Sequence, residues 1–486
     1  MVAEFPALHC DSPASTIPAH FPLILTTPIF LTNLTRHTEI GANSYFLQCG
    51  DTNIVLDCGM HPKEEGLQAA PNLGLVRGER IDAIIVTHAH QDHIGTLPVL
   101  MRQHPESKVF MTYATSRLGE AMLHNSVNVM TRQREELGTV DFPLFTHREL
   151  DGMVGRWDYV PLRQTFGMDG ERRQRDSEDF TAELLDAGHI LGSTGAVLRS
   201  GGRTIFYTGD VNFRDQTLSR GAKFPEEFID VLIIETTRGD NPTPEGFTRK
   251  AEEKRFIAAI KEAFDRGGSV LIPVFAIGKT QEVLTIIYEM KRDGDLAPST
   301  PIYIGGLSAK MTMIHDELSR ATPRRYEGLE LLDMVAPYVL GGKEAQHASP
   351  GHGKIFAISS GMMTEKTLSN VFARKFLEEE KHSVFFVGYA APDSPGGVLR
   401  AAEKGAQVVL DKSQPPLTLN ATVEKFDFSA HSTREDLLAY ILRVNAPATV
   451  LVHGDPSAIE WFRSQLAEKA PKMRVVVPPP GEKVEL

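Results

Sequence analysis

The sequence predicts an α/β fold. Short apolar, β-branched runs recur along the chain, many are followed by segments of helical period, and no fixed-period repeat or low-complexity tract intervenes. In order, NIVLD (53–57), DAIIVT (82–87), AELLDA (182–187), RTIFYTG (203–209) and DVLIIE (230–235) read as buried strands. SVLIPVF (269–275), PIYIG (301–305), KIFAIS (354–359), SVFFVG (383–388) and TVLV (449–452) continue the series. The spacing of apolar residues predicts helices over 278–292, 432–444 and 456–470, the last followed by a strand at RVVVPP (474–479). The polar stretch DGERRQRDSEDF (169–180) carries both signs of charge and reads as an exposed loop.

Composition limits the function classes. The 486 residues allow two to four domains with a large core, and 41% hydrophobic with 23% charged residues exclude a disordered, collagen-like or disulfide-built chain. Three cysteines, Cys10, Cys49 and Cys58, are too few for a disulfide framework and point to a reducing compartment, the cytoplasm by default. The apolar stretch FPLILTTPIFL (21–31) is interrupted by proline and threonine and is shorter than the ~20 residues of a membrane span. No basic segment precedes it, so no signal peptide is expected. The 51 basic and 63 acidic side chains give a net charge of −12, which opposes nucleic-acid binding unless the cations are gathered locally.

Several predicted strands end in residues that can hold metal, and strand ends are where α/β folds collect ligands. DAIIVT runs into THAHQDHIGTLP (87–98), which places His88, His90, Asp92 and His93 within six residues. Other strands deliver Asp57, His189, Asp210 and His453. A lone histidine after a strand is more often packed or on the surface. Three imidazoles and a carboxylate this close are poorly explained by packing, because such polar groups are rarely buried without partners. Imidazole and carboxylate without thiolate suit zinc, manganese or iron, and the number of ligands suits two ions.

THAHQDH resembles the metal-binding signature of the metallo-β-lactamase fold, and the order Asp57, HxHxDH, His189, Asp210 is similar to that fold's first four motifs. VLIIETTRGD (231–240), IPVFAIGKTQE (272–282), ISSGMM (358–363), FFVGYAAP (385–392), FSAH (428–431) and LVHGD (451–455) further resemble the β-CASP nucleases. That group contains the polyadenylation-factor endonuclease, its archaeal and bacterial relatives, and ribonuclease J. The resemblance spans 28–486 and implies an αββα sandwich split by an inserted α/β β-CASP domain. The expected divisions are an N-terminal extension (1–27), the first part of the core (28–238), the insert (239–427) and the return of the core (428–486).

The resemblance implies two zinc ions per chain. His88, His90 and His189 would hold one, Asp92, His93 and His453 the other, with Asp210 bridging and Asp57 orienting a ligand from behind. A hydroxide shared by the metals would attack phosphorus in line. His431 would protonate the leaving oxygen, oriented and charged by Glu235. With Asp92, these two complete the expected catalytic set. Ser359, Ser360 and the amides around Gly361 could contact phosphate, and Lys279, Lys310, Arg374, Lys375 and Arg400 could supply positive potential. Individually, each of these cations is more often a solvated surface charge.

Two departures from the family pattern stand out. Thr433 occupies a position often held by aspartate, and Thr364-Glu365-Lys366 replaces a common Thr-Gly-Gly. The expected substrate is single-stranded RNA, cleaved during processing or decay, with no membrane partner and self-association into a homo-oligomer left open. Rival readings are a DNA nuclease on the same scaffold, a small-molecule ester hydrolase and a non-catalytic scaffold. His453 favours the RNA branch, since the DNA branch typically has an apolar residue there. The long stretch 239–427 argues against the small hydrolase, and the complete ligand set against the scaffold.

Overall fold

The computed structural model describes residues 28–486, so the extension 1–27, with Cys10 and the start of the 21–31 apolar stretch, lies outside the described residues. Two seven-stranded sheets form the core. One orders Lys483–Glu485, Ile29–Asn33, Tyr45–Cys49, Thr52–Leu56, Ala83–Ile85, Lys108–Met111 and Trp157–Tyr159. The other orders Arg474–Val476, Ala448–Val452, Val231–Glu235, Arg203–Tyr207, Thr194–Ser200, Thr181–Asp186 and Thr165–Gly167.

Leu31, Leu47, Ile54 and Ile85 of the first sheet meet Leu184, Leu198, Ile205, Ile233 and Val450 of the second in one buried layer. Apolar residues on the outer face of the first sheet are covered by Leu97–Gln103, Tyr113–Leu137 and His147–Val154. Arg434–Val444 and Pro456–Lys469 cover the second. The layers are therefore helix, sheet, sheet, helix, as each sheet must bury both faces.

A third sheet has six strands, all parallel, in the order Tyr338–Leu340, Ile302–Gly305, Ile355–Ile358, Val270–Pro273, Ser383–Phe386, Thr422–Lys425. Apolar clusters cover both of its faces, which explains its nearly continuous apolar strands. It meets the sandwich through Met311, Ile314, Ala276 and Ile277, packed on Ala89, Ala114, Leu118 and Ile190. Ala89 separates His88 from His90 and Ile190 follows His189, so this contact sets the third sheet's unit beside the histidine cluster. No helix among the described residues is long and apolar enough to cross a membrane.

Candidate metal and catalytic centre

Strand direction explains how residues far apart in sequence meet. Arg203–Tyr207, Val231–Glu235 and Ala448–Val452 run parallel, and Thr181–Asp186 shares their direction because two antiparallel pairings separate it from Arg203–Tyr207. Their C-terminal ends therefore deliver His189, Asp210, Glu235 and His453 to one edge of the sandwich. Thr52–Leu56 and Ala83–Ile85, also parallel, deliver Asp57 and the HxHxDH segment. Asp57 and His453 adopt left-handed backbone angles, φ 58° and 49°, a conformation that costs a non-glycine residue about 1–3 kcal/mol and clusters at functional sites. A Cβ at Gly454 would lie 2.1 Å from Thr236 Oγ1, so a larger residue there would displace the Thr236 side chain.

Hydrogen bonds fix which ring nitrogens face inward. The hydroxyl proton of Thr87 goes to the Asp57 carboxylate, so Thr87 Oγ1 accepts from His88 Nδ1 at 3.1 Å and leaves His88 Nε2 as a lone pair. His189 Nδ1 donates to the Ala430 carbonyl at 2.9 Å, with the same result for its Nε2. His93 Nδ1 donates to Asp57 Oδ2 at 2.8 Å, and Tyr207 Oη donates to the same oxygen at 2.8 Å. Such partners set the tautomer and aim of a ligating imidazole.

Two groups of lone pairs result. His88 Nε2 and His189 Nε2 lie 3.2 and 3.1 Å from His90 Nδ1, and 3.6 and 3.7 Å from Asp210 Oδ2. His93 Nε2 lies 3.3 Å from Asp210 Oδ1, and His453 Nε2 lies 3.4 Å from Asp92 Oδ2. These spacings resemble the roughly 3.3 Å edge of a tetrahedron built from ~2.0–2.1 Å ligand bonds. Asp210 thus turns one oxygen to each group. His453 Nδ1 is 2.9 Å from Asp210 Oδ1, yet Asp210 Oδ1 and His453 Nε2 are buried without a hydrogen-bond partner, because the angles do not fit one. Buried polar atoms converging without hydrogen bonds fit a metal ion better than they fit one another.

Electrostatics agrees. Burial holds His88 and His189 well below the usual imidazole range and brings His90 down to about 4, which keeps all three in the neutral, ligating form. Burial opposes the charge on Asp210, but His453 and His93 hold its carboxyl well below the carboxylate range. Burial also opposes protonation of His453, yet Asp210 and Asp92 push it up to about 10. His93, facing Asp210, Asp57 and Asp92, is likewise raised. The cluster draws positive charge into a buried space.

Beside it lies a third group. His431 Nδ1 is 3.1 and 3.0 Å from the two Glu235 oxygens, its Nε2 is 4.0 Å from Asp210 Oδ2, and its ring lies 4.5 Å from that of His189. Glu235 is buried and also accepts from Val211 N at 2.6 Å. Thr433 caps the helix Arg434–Val444 by accepting from Asp436 N.

The expected phosphate contacts fare differently. Lys279 is not a groove cation: it is buried, its ammonium donates to the Phe428 carbonyl, and burial lowers it to about 8. Arg374 donates to the Pro415 carbonyl and Lys375 to those of Ala345 and Ala348, so both hold backbone. Ser360 Oγ accepts from Thr364 N, while Ser369 N and Oγ donate to the carbonyls of Ser359 and Ser360. Gly361 is buried against Phe275. The Ser360 hydroxyl and the carbonyls of Ser359 and Ser360 are therefore engaged within the turn. Lys310 is exposed, Arg400 is partly exposed, and neither has an ion pair among the described residues. Lys366, in the departure from the family pattern, pairs with Glu136 on the long helix of the sandwich.

Sequence reasoning missed Tyr207, Thr87 and Asn43, whose side chain lies 3.2 Å from His93 Nε2. The Ala430 carbonyl was also missed, because backbone atoms carry no residue signal.

A helix–sheet–sheet–helix sandwich with a histidine and carboxylate cluster at one edge defines a metallo-β-lactamase fold. Residues 37–123 match the model of the metallo-beta-lactamase superfamily, 280–399 the Beta-Casp domain, and 416–478 the Zn-dependent metallo-hydrolase RNA specificity domain. The chain belongs to the β-CASP branch of this superfamily. It is 28% identical to Cleavage and polyadenylation specificity factor 73 of Drosophila melanogaster, covering 88% of this chain and 60% of that one. It is 27% identical to Probable RNase MJ4 of Methanocaldococcus jannaschii, over 92% of this chain and 98% of that one. Transcription termination factor FttA of the same organism is 29% identical over 86% of this chain and 66% of its own length. A crystal structure of a protein of unknown function from Enterococcus faecalis V583 shares the fold, with a TM-score of 0.53 at 12% identity, covering 94% of this chain and 100% of that one.

Proposed function

We propose that the chain is a ribonuclease that hydrolyses phosphodiester bonds of single-stranded RNA with two zinc ions. The observation that carries this is Asp210 set between two ligand groups, with the His431–Glu235 pair at hydrogen-bonding distance beside it. His88, His90 and His189 would hold one ion and Asp92, His93 and His453 the other, with Asp210 shared and 239–427 forming the insert over them. Ions held there supply activation of a water nucleophile and neutralisation of charge on the phosphoryl oxygens. The protein's own part is positional. Asp57 fixes His93, the Ala430 carbonyl fixes His189, and His431 holds a proton at Nε2 for the departing oxygen. The named activities of the polyadenylation factor and of Probable RNase MJ4 support the choice of RNA.

The test uses one RNA labelled at either end and also closed as a circle, beside DNA of the same sequence. Cleavage of the circle establishes endonucleolytic action, loss of activity on chelation establishes metal dependence, and metal analysis should give near two equivalents. Preference for DNA, or less than one equivalent in active protein, would overturn the reading.

With a net charge of −12, RNA binding must rely on local cations, and Lys310 and Arg400 are the unpaired candidates that remain. Replacing either with alanine is expected to weaken binding and flatten the log-log salt slope by roughly 0.7 for each phosphate no longer neutralised. Binding that is independent of salt would remove both from the interface.

A further inference from the structure

The residues 427–432 carry several roles in a short span. The Ala430 carbonyl holds His189, His431 faces Glu235, and Ser432 Oγ accepts from Phe213 N at 2.9 Å. This segment returns the chain from Thr422–Lys425 of the third sheet to the sandwich, and it lies in no strand. Side chains hold it in place of sheet pairing. Arg238 grips Asp427 with both nitrogens, at 2.6 and 3.3 Å, and Asp427 accepts from Ser429 N. Ser429 Oγ in turn accepts from His431 N at 3.1 Å. The Arg249 guanidinium lies 4.2 Å over the Phe428 ring, and the Lys279 ammonium donates to the Phe428 carbonyl.

Lys279 breaks two local rules. It is 9% exposed, where a cation is costly unless hydrogen-bonded, and it is the first residue of the helix Lys279–Arg292, where the dipole disfavours positive charge. The hydrogen bond to the Phe428 carbonyl offsets the burial, and local exceptions of this kind are expected at functional or strained sites. The Lys279 ammonium is directed to the Phe428 carbonyl.

We propose that Lys279 is a positioning residue: by holding the Phe428 carbonyl it fixes the 427–431 backbone, and with it the distance of His431 from Asp210. This rests on the reading of His431 as the proton donor to the leaving group. The insert would thereby act on the chemistry of the sandwich through one buried hydrogen bond.

The experiment compares Lys279→Met, which keeps the apolar stem and removes the donor, with Lys279→Arg, which retains a donor. On RNA, Lys279→Met is expected to lower kcat by ~10- to 100-fold, the range for lost outer partners of a reacting group, with KM and bound metal unchanged. Lys279→Arg should recover most of that loss. On a nitrophenyl phosphodiester, whose leaving group needs no proton, Lys279→Met should equal the parent enzyme, an outcome that general unfolding would not give. Ser429→Ala, which removes only the link to His431 N, should show the same pattern more weakly and covers a folding failure of the lysine variant. A raised KM with unchanged kcat would make Lys279 an RNA contact, and lost metal would route its effect through His189. Either result overturns the proposal. If His431→Ala leaves RNA turnover intact, the proton-donor reading fails. If His431→Ala is slow but both Lys279→Met and Ser429→Ala are not, only the positioning role fails.

Discussion

Asp210→Ala is expected to lose both metal ions and nearly all nuclease activity, whereas His90→Ala keeps about one ion. Asp210 Oδ2 lies 3.6 and 3.7 Å from His88 and His189, while Oδ1 lies 3.3 and 2.9 Å from His93 and His453. No other carboxylate of the cluster faces both groups: Asp92 is near His93 and His453, and Asp57 is committed to Thr87, His93 and Tyr207. Without Asp210, the first group would consist of imidazoles alone. The loss in turnover should exceed the ~100-fold upper range for an outer hydrogen-bond partner, because on the proposed assignment Asp210 would be a direct ligand to both ions. Metal analysis of the purified variants reads the first expectation and RNA cleavage the second. Ligand binding stabilises a fold by about RT ln(1 + [L]/Kd), so a chelator should lower the Tm of the parent protein and leave that of Asp210→Ala unmoved. An Asp210→Ala protein with two equivalents of zinc and normal turnover would end the shared-ligand assignment.

Much of this site was legible before the fold, for a physical reason. The candidate site residues sit at or just beyond the ends of strands such as Val231–Glu235, where the four buried residues before Glu235 are all apolar. A polar residue terminating such a run is conspicuous. The long helix Tyr113–Leu137 was not legible, because it buries two narrow faces in two different cores. Ala114 and Leu118 pack toward the third sheet's unit, while Leu123, Val127 and Met130 pack on the first sheet. Its remaining positions are polar, and no single apolar stripe survives. The misreading of Lys279 has a similar origin. A lysine in a glycine-flanked turn before a helix looks like a phosphate ligand. Only the fold reveals that Phe428, some 150 residues later, occupies its ammonium.

His431→Ala is expected to lower turnover by ~100- to 10,000-fold, the contribution of a positioned general acid, with zinc content and RNA affinity nearly unchanged. The geometry separates these quantities. The His431 ring is 22% exposed, whereas the imidazoles of the two ligand groups other than His90 are at most 3% exposed, so His431 stands at the mouth of the cluster. Its Nδ1 is held by both Glu235 oxygens, which leaves Nε2 turned toward Asp210 and able to carry a proton to a leaving oxygen bound there. Glu235 is fixed by the Val211 amide, so the pair is oriented before substrate arrives. Glu235→Gln should give a smaller loss in the same direction, since the amide oxygen can still accept from Nδ1 but brings no charge. The nitrophenyl phosphodiester again sharpens the test: if His431 acts by proton transfer, His431→Ala should be slow on RNA and near normal on the activated ester. Equal losses on both substrates would assign the imidazole to binding or to metal retention instead. Unaltered turnover on RNA would remove it from the mechanism.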